Sequence, residues 1–233
     1  MLPLQVLFED NYLLAVNKPH ALVVENESPL NTSLQSLALD YLRSKTKYPQ
    51  KCFIGVPHRL DRPVSGIIIL AKKKSVLKML ADIFSKREVE KVYLAITENR
   101  PATDEAELNN WLVKDKDNRK AIIYNLQVKN SLKVILQYKL IAQNKNGSLL
   151  QINLITGKFH QIRSQLAHLG CAIVGDKHYG ATSSYKETSI CLHAHTLSFV
   201  HPITNELLKI TAPVPDDELW NSFSSTIKEG LNM

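Results

Sequence analysis

The chain has 233 residues, which suits one large domain or two small ones and is ample for a hydrophobic core. Hydrophobic residues make up 44% and charged residues 22%, a composition that excludes an intrinsically disordered chain. Lysine and arginine number 29 against 22 acidic residues, an excess that favours polyanionic partners without identifying one. No apolar run is long enough to span a bilayer, and the N-terminus lacks the basic leader of a signal peptide.

The predicted strands begin with a short pair between Gln5 and Val16. A continuous apolar run of mostly branched residues at Ser65 to Ala71 is typical of a central strand buried on both faces. Alternation of apolar and polar side chains, and strand-like composition, predict the remaining strands. They span about 90–97, 134–140, 149–155, 190–200 and 206–210.

Four segments have the spacing or the end signals of helices. Thr32 with Gln35 predicts a capping box at the first, and Gly170 predicts the C-terminal cap of the third. The helices span about 33–43, 75–86, 160–169 and 217–225. Because strands outnumber helices and hairpin-like spacings dominate, we predict an α+β fold with a mixed, mainly antiparallel central sheet. We find neither a repeat nor a linker, and we expect residues 1–233 to form a single domain.

The segment HRLDRPVSG, residues 58–66, carries most of the polar chemistry of the sequence. It places Asp61 between Arg59 and Arg62 in a loop directly before the predicted central strand. Cationic neighbours favour the ionised carboxylate, which is the form that a nucleophile or a base needs. The alternative is a salt-bridged turn that only orders the loop, and composition by itself favours that alternative.

Two further segments contain possible binding groups. At residues 154–163 a strand ends at Gly157 and a helix begins, so Lys158, His160 and Arg163 surround a helix N-terminus suited to phosphate or carboxylate. An ordinary strand-to-helix turn is an equally good interpretation. Tyr93 follows Lys91 in a strand and could stack on a base, although a partly buried core tyrosine is the simpler explanation.

Histidine and cysteine spacing argues against a metal site. His160 and His168 are eight residues apart, and His193 and His195 share a strand face but no cysteine or carboxylate cluster joins them at a ligand spacing. The three cysteines are far apart, odd in number and without a CxxC pair, which favours a reducing compartment. We therefore predict no metal and a cytoplasmic location. We also predict no cofactor, because the sequence has no Gly-rich phosphate loop and no Rossmann fingerprint.

Taken in order, these segments resemble the motifs of RluA-type pseudouridine synthases. HRLDRPVSG looks like their catalytic motif, KVYLAI their tyrosine strand, and LITGKFHQIRSQLAHLGCAIVGDKHYG their long C-terminal motif. FEDNYLLAVNKP and CLHAHTLSFVHPIT resemble the opening motif and a late strand. Val64 stands where the family usually has threonine, and Lys158 where arginine is common. The resemblance covers nearly the whole chain.

The resemblance implies roles at the matching positions. Asp61 would be the catalytic aspartate, acting either on the anomeric carbon or on a ribose proton, and Tyr93 would stack on the target uracil and assist proton removal. Arg163 would pair with Asp61. Arg59 would fill the gap left by the flipped nucleotide. Together with Arg62, Lys158 and His160, which we expect to bind substrate, these complete the predicted site.

The resemblance also implies that the substrate is RNA, either tRNA or large-subunit rRNA, and we expect a monomer that requires no membrane. Many relatives carry a small N-terminal RNA-binding module. The opening motif here starts within the first ten residues, so we expect no such module and RNA contacts from the catalytic domain. The basic residues available for them are Lys72, Lys73, Lys74, Lys86, Arg87, Lys114, Arg119 and Lys120.

Two other functions agree less well with these residues. An RNA-binding protein that lost its chemistry would be free to lose Asp61, Tyr93 or Arg163, yet all three are present. A glycosidase using Asp61 would need a second carboxylate, and in these motifs only Asp176 is available, which we interpret as a loop residue.

Overall fold

The computed structural model of the chain describes residues 4–25 and 32–230. It divides into two compact units whose segments interleave along the sequence. Unit 1 contains the residues up to Glu90 and Ala194–Pro213, and unit 2 contains Lys91–His193 and the residues from Val214 onward.

Unit 1 is built from paired β-strands and two helices. The strand order is β1, β2, β3, β9, β10, and the pairs β1–β2, β2–β3 and β9–β10 are antiparallel. Its strands are β1 (Gln5–Glu9), β2 (Leu13–Lys18), β3 (Ser65–Ala71), β9 (Leu192–Val200), which unit 1 contains from Ala194 onward, and β10 (Leu207–Thr211). Its helices are α1 (Leu34–Ser44) and α2 (Lys74–Lys86).

Strand β3 is buried along its whole length because both faces of the sheet are covered. Ile68 and Leu70 pack in a cluster with residues of α1, and Ile67 and Ile69 pack in another with residues of α2. The second cluster is completed by β9 and β10. The prediction of a central strand buried on both faces is confirmed.

Unit 2 contains antiparallel strands in the order β4, β8, β7, β5, β6. Its strands are β4 (Val89–Thr97), which unit 2 contains from Lys91 onward, β5 (Glu105–Asp115), β6 (Lys120–Tyr124), β7 (Leu132–Asn144) and β8 (Gly147–Leu154). Its helices are α3 (Gln161–His168), α4 (Glu218–Asn221) and α5 (Ser224–Gly230). Sheets dominate both units and helices are few, so the predicted α+β class is confirmed.

The structure corrects two details. The capping box of α1 is formed by Ser33 and Ser36, not by Thr32 and Gln35: Ser33 Oγ accepts the Ser36 N–H at 3.1 Å, and Ser36 Oγ accepts the Ser33 N–H at 2.9 Å. Because Leu34 is the first helical residue, Thr32 lies one position too early to cap it. The predicted helix at 217–225 is divided into α4 and α5.

None of the described helices has the length and the apolar character that crossing a membrane demands.

Candidate active site

The loop before β3 holds Asp61 between two fixed ends. At its start, His58 Nε2 accepts the backbone N–H of Ile69 at 3.0 Å, and the imidazole stacks on Phe84 with 4.3 Å between ring centroids. Within the loop, the N–H of Val64 donates to the carbonyl of Asp61 at 3.1 Å, which closes a turn. Asp61 itself is half-buried. The loop therefore presents its carboxylate from a rigid base.

Gly66 explains how the loop joins β3. Its φ is +116°, and a Cβ added there would lie 2.2 Å from the carbonyl oxygen and 2.5 Å from the backbone nitrogen of Ala194. Only glycine fits a positive φ in direct contact with another backbone. The glycine at the end of HRLDRPVSG is thus required by packing within unit 1.

Lys18 is a functional candidate that sequence reasoning missed. The side chain is fully buried, and its Nζ donates to the carbonyls of Pro19 at 2.9 Å, Leu22 at 2.8 Å and Arg62 at 3.2 Å. An ammonium has three N–H donors, so the three carbonyls match it fully. Desolvation by burial lowers the pKa of Lys18 to about 7, and the charge of Asp61 opposes that shift. The sequence signal that could have identified this residue is its position as a lysine at the end of an apolar strand.

This burial gives a prediction about pH and stability. In the folded protein the pKa of Lys18 is about 7, below its ordinary 10.5, so between these values the unfolded chain binds more protons at this residue. The Lys18 contribution to the free energy of unfolding therefore increases as the pH rises from 7 towards 10. We expect Lys18→Met to have a smaller positive slope than wild type in urea titrations at pH 7, 8, 9 and 10. An unchanged slope would contradict the assignment, and Lys78→Met on the exposed side of α2 is the control.

The two arginines beside Asp61 differ in their contacts. Arg59 is exposed. Arg62 is also exposed, but its Nε donates to the carbonyl of Ala21 at 3.1 Å while its own carbonyl accepts from Lys18. Arg62 thus helps to tie the loop to the segment after β2, and its predicted contact with substrate stays a prediction, as does that of Arg59.

The start of α3 is organised by a buried glutamine. Gln161 Oε1 accepts the hydroxyl of Thr156 at 2.8 Å and the backbone N–H of Lys158 at 3.1 Å. The Lys158 N–H is therefore occupied within the protein, whereas the Lys158 side chain is exposed. At this helix end, the exposed Lys158 ammonium is therefore better placed to bind an anion than the Lys158 backbone N–H.

His160 has a left-handed backbone, with φ 51° and ψ 24°, at the N-cap of α3. Its ring stacks on Phe159 with 3.8 Å between centroids, and its Nδ1 lies 2.9 Å from the hydroxyl of Tyr179. Lys114 Nζ lies 4.5 Å from the centroid of the Phe159 ring. These contacts hold His160 within unit 2, and its role in substrate binding stays a prediction.

Arg163 lies on α3 and is 6% exposed. Its Nε donates to Asp176 Oδ2 at 2.7 Å and its Nη2 to Asp176 Oδ1 at 2.8 Å, which is a bidentate ion pair. We interpreted Asp176 from the sequence as a loop residue, and nothing in its spacing predicted an ion pair with Arg163. The predicted pairing of Arg163 with Asp61 stays a prediction.

Tyr93 lies in β4 opposite Ile152 of β8 and is half-buried. Neighbouring Leu94 points to the other face and is fully buried. The strand predicted here is therefore observed, but its burial does not alternate, because every residue from Leu94 to Thr97 is buried. The described residues contain no group of three or more histidine, cysteine or acidic side chains placed to hold a metal ion.

A family model described as RNA pseudouridylate synthase matches residues 12–168, well over half of the chain. The chain belongs to this family. Pseudouridine synthases are RNA isomerases, so the resemblance of the motifs and the expected class of enzyme are confirmed. The matched range includes Asp61, Tyr93 and Arg163, whereas Asp176 lies beyond it.

Several pseudouridine synthases are similar in sequence. The chain is 32% identical over 219 residues to an uncharacterized RNA pseudouridine synthase of Bacillus subtilis, covering 92% of this chain and 70% of the relative. It is 32% identical over 212 residues to ribosomal large subunit pseudouridine synthase C of Rickettsia bellii, covering 90% and 68%.

Solved structures from this family have the same fold. Human RNA pseudouridylate synthase domain containing 4 superimposes with a TM-score of 0.76 at 22% identity, covering 96% of this chain and 92% of that one. Human RNA pseudouridylate synthase domain containing 1 gives 0.74 at 22% identity, covering 91% and 84%.

Proposed function

We propose that this synthase converts specific uridines to pseudouridine in large-subunit ribosomal RNA, with Asp61 as the catalytic group. The observation that carries the proposal is the setting of Asp61: a half-buried carboxylate on a loop anchored at both ends, beside the buried Lys18 side chain. Such a loop keeps a reactive group in place without burying it from substrate.

The proposed reaction starts with a uridine flipped out of the RNA stack. The Asp61 carboxylate acts on the ribose, as nucleophile at the anomeric carbon or as base on a ribose proton, and the bond from that carbon to uracil N1 breaks. The uracil then rotates and its C5 bonds to the same carbon. As this bond forms, the ester bond from Asp61 to that carbon breaks, or, on the base route, Asp61 returns the ribose proton. The C5 proton is lost and N1 gains a proton, so the product is an isomer of the substrate.

Tyr93 and Arg163 have distinct roles in this proposal. Tyr93 stacks on the detached uracil and assists removal of the C5 proton, and its half-buried position on β4 suits a side chain with one packed and one accessible face. Arg163 pairs with Asp61 and keeps its carboxylate oriented. These roles remain implied by the family resemblance.

RNA binding is proposed to depend on exposed cations. Arg59 fills the space left by the flipped base, and Lys158, Arg62 and His160 contact the substrate. Among the other candidates, Lys72 is engaged within unit 1: its Nζ donates to Glu9 Oε1 at 2.9 Å. Cations that are exposed and lack such a carboxylate neighbour are better placed to neutralise phosphate. Those proposed are Lys73, Lys74, Lys86, Arg87, Lys114 and Arg119, whereas Lys120 is half-buried and lies opposite Asp115.

Three broader features are part of the same proposal. The two units act as one catalytic domain spanning residues 1–233, the protein is a monomer, and it works in the cytoplasm. The free state of Cys52, Cys171 and Cys191 supports a reducing compartment.

Relatives named ribosomal large subunit pseudouridine synthase C and D support ribosomal RNA as substrate. Transfer RNA is the competing substrate in the test below.

The test is to incubate the purified enzyme with RNA from a host that lacks the gene and to map pseudouridine at nucleotide resolution. We expect new pseudouridine at discrete positions of large-subunit rRNA. If only tRNA were modified, the proposed substrate would be wrong and the proposed reaction would stand. Binding of RNA without any new pseudouridine would overturn the reaction itself and favour a binding protein.

A further inference from the structure

The ion pair of Arg163 with Asp176 is almost completely removed from solvent. Arg163 is 6% exposed and Asp176 is 1% exposed, and two hydrogen bonds of 2.7 and 2.8 Å join them side by side. Burying two charges is costly, and pairs of this kind can often be replaced by apolar residues without loss of stability. Stability is therefore a weak reason for this pair, and orientation of the guanidinium is a better one.

Asp176 is itself held by a tight turn. Its N–H donates to the carbonyl of Ile173 at 2.9 Å, and its own carbonyl accepts from Tyr179 at 2.9 Å and Ala181 at 3.1 Å. Before it, Gly175 has φ +87°, and a Cβ there would lie 2.8 Å from the backbone oxygen of Ser189. The carboxylate thus projects from a backbone with little freedom.

A second contact limits rotation of the guanidinium out of its plane. The Arg163 Cζ lies 5.0 Å from the centroid of the Tyr179 ring, within the range of a cation–π contact. The Tyr179 hydroxyl accepts the N–H of Ala121 in β6 at 2.7 Å and lies 2.9 Å from Nδ1 of His160. Asp176 therefore fixes one edge of the guanidinium, and the anchored Tyr179 ring contacts the same group.

We propose that Asp176 is a positioning residue, which sets the orientation of Arg163 for catalysis by a buried bidentate ion pair within unit 2. This inference deepens the proposed function and rests on it. Asp176 accepts from two of the three guanidinium nitrogens, Nε and Nη2, so the pair defines where the third, Nη1, points. Arg163 is suited to this arrangement because its donors form a rigid planar fork.

The first test is a double-mutant cycle on the rate of pseudouridine formation. We expect Asp176→Asn to lower kcat about 10- to 100-fold with a change in KM below about threefold, since orientation acts in the chemical step. Asp176→Glu should recover part of the loss. In the Arg163→Met background, Asp176→Asn should lower kcat little further, because the residue that it orients is gone. Additive losses would overturn the proposal.

Asp217→Asn is the matched control. Asp217 also belongs to unit 2, is largely buried and forms an ion pair with Lys186 at 2.8 Å, so its loss costs stability without acting on Arg163. We expect its kcat to remain within about twofold of wild type. An equal loss of kcat in Asp217→Asn would show that any buried charge defect in this unit reduces activity, and would overturn the inference.

A spectroscopic measurement tests the inference apart from catalysis. In wild type, the Arg163 Nε–H should give a slowly exchanging NMR signal, because it is buried and donates to Asp176. In Asp176→Asn this signal should broaden or exchange faster. If Asp176→Asn does not fold, the same measurement on Asp176→Glu replaces it. An unchanged signal in a folded variant contradicts positioning even if wild type is an active synthase, whereas an inactive wild type overturns the proposed function and with it this inference.

Discussion

Asp61→Asn is expected to lower pseudouridine formation by about 10³-fold or more, because an amide at this position is neither a nucleophile nor a base. The substitution keeps the size of the side chain, and Asp61 is only half-buried, so we expect folding to be retained. The measurement is single-turnover modification of the RNA identified by mapping, with RNA affinity measured alongside. The affinity for RNA should change by a much smaller factor than the rate of modification.

Asp82→Asn is the matched control for this substitution. Asp82 lies on the exposed side of α2, in the same unit as Asp61. It should modify RNA at the wild-type rate. If Asp61→Asn retained more than about a tenth of the wild-type rate while folded, Asp61 would not be the catalytic group.

Gly66→Ala is expected to destabilise the protein by about 3 kcal/mol or more, the largest effect on folding among the substitutions considered. The added methyl would lie 2.2 Å from a backbone oxygen of Ala194, and the φ of +116° is one that alanine rarely adopts. Strand β3 and β9 cannot both keep their positions. Chemical denaturation at fixed pH measures the change, and activity should fall only in proportion to the unfolded fraction.

Gly157→Ala provides the comparison. Its backbone does not require a positive φ, and an added Cβ would meet only the flexible end of Lys91, at 3.5 Å from Nζ. We expect a change in unfolding free energy within about 1 kcal/mol. Similar losses at both glycines would show that the close approach of Gly66 to Ala194 does not decide stability.

Much of the fold followed from periodicity. The limits of β3 were predicted to the residue, and α2 and α3 to within a residue at each end. These elements have strong patterns: a continuous apolar run, or apolar residues at helical spacing. Gly170, predicted as the cap after α3, has φ +82°. By contrast, the pairing of β5 with β6 was not predicted, because polar and charged residues interrupt β5 and the apolar run of β6 is only four residues long.

The sequence predicted a site residue only where charged residues are neighbours in the chain. Asp61 stood out because arginines flank it, but Lys18 and Asp176 did not, since each derives its importance from burial and from distant partners. A lysine in a sequence is normally assigned to the surface. Only the fold reveals that three carbonyls surround this one, or that a loop aspartate at 176 binds an arginine on α3.

The interleaving of the units along the chain has a consequence for synthesis on the ribosome. The sheet of unit 1 needs β9 and β10, which follow about a hundred residues of unit 2 in the sequence. At translation rates of about 5–20 residues per second, residues 1–90 wait roughly 5–20 s before Leu197, Phe199 and Ile210 can cover their cluster. During that interval the edge of β3 and its apolar neighbours are open to nascent-chain binding factors. The enzyme therefore depends on completing translation before its first-made unit can close.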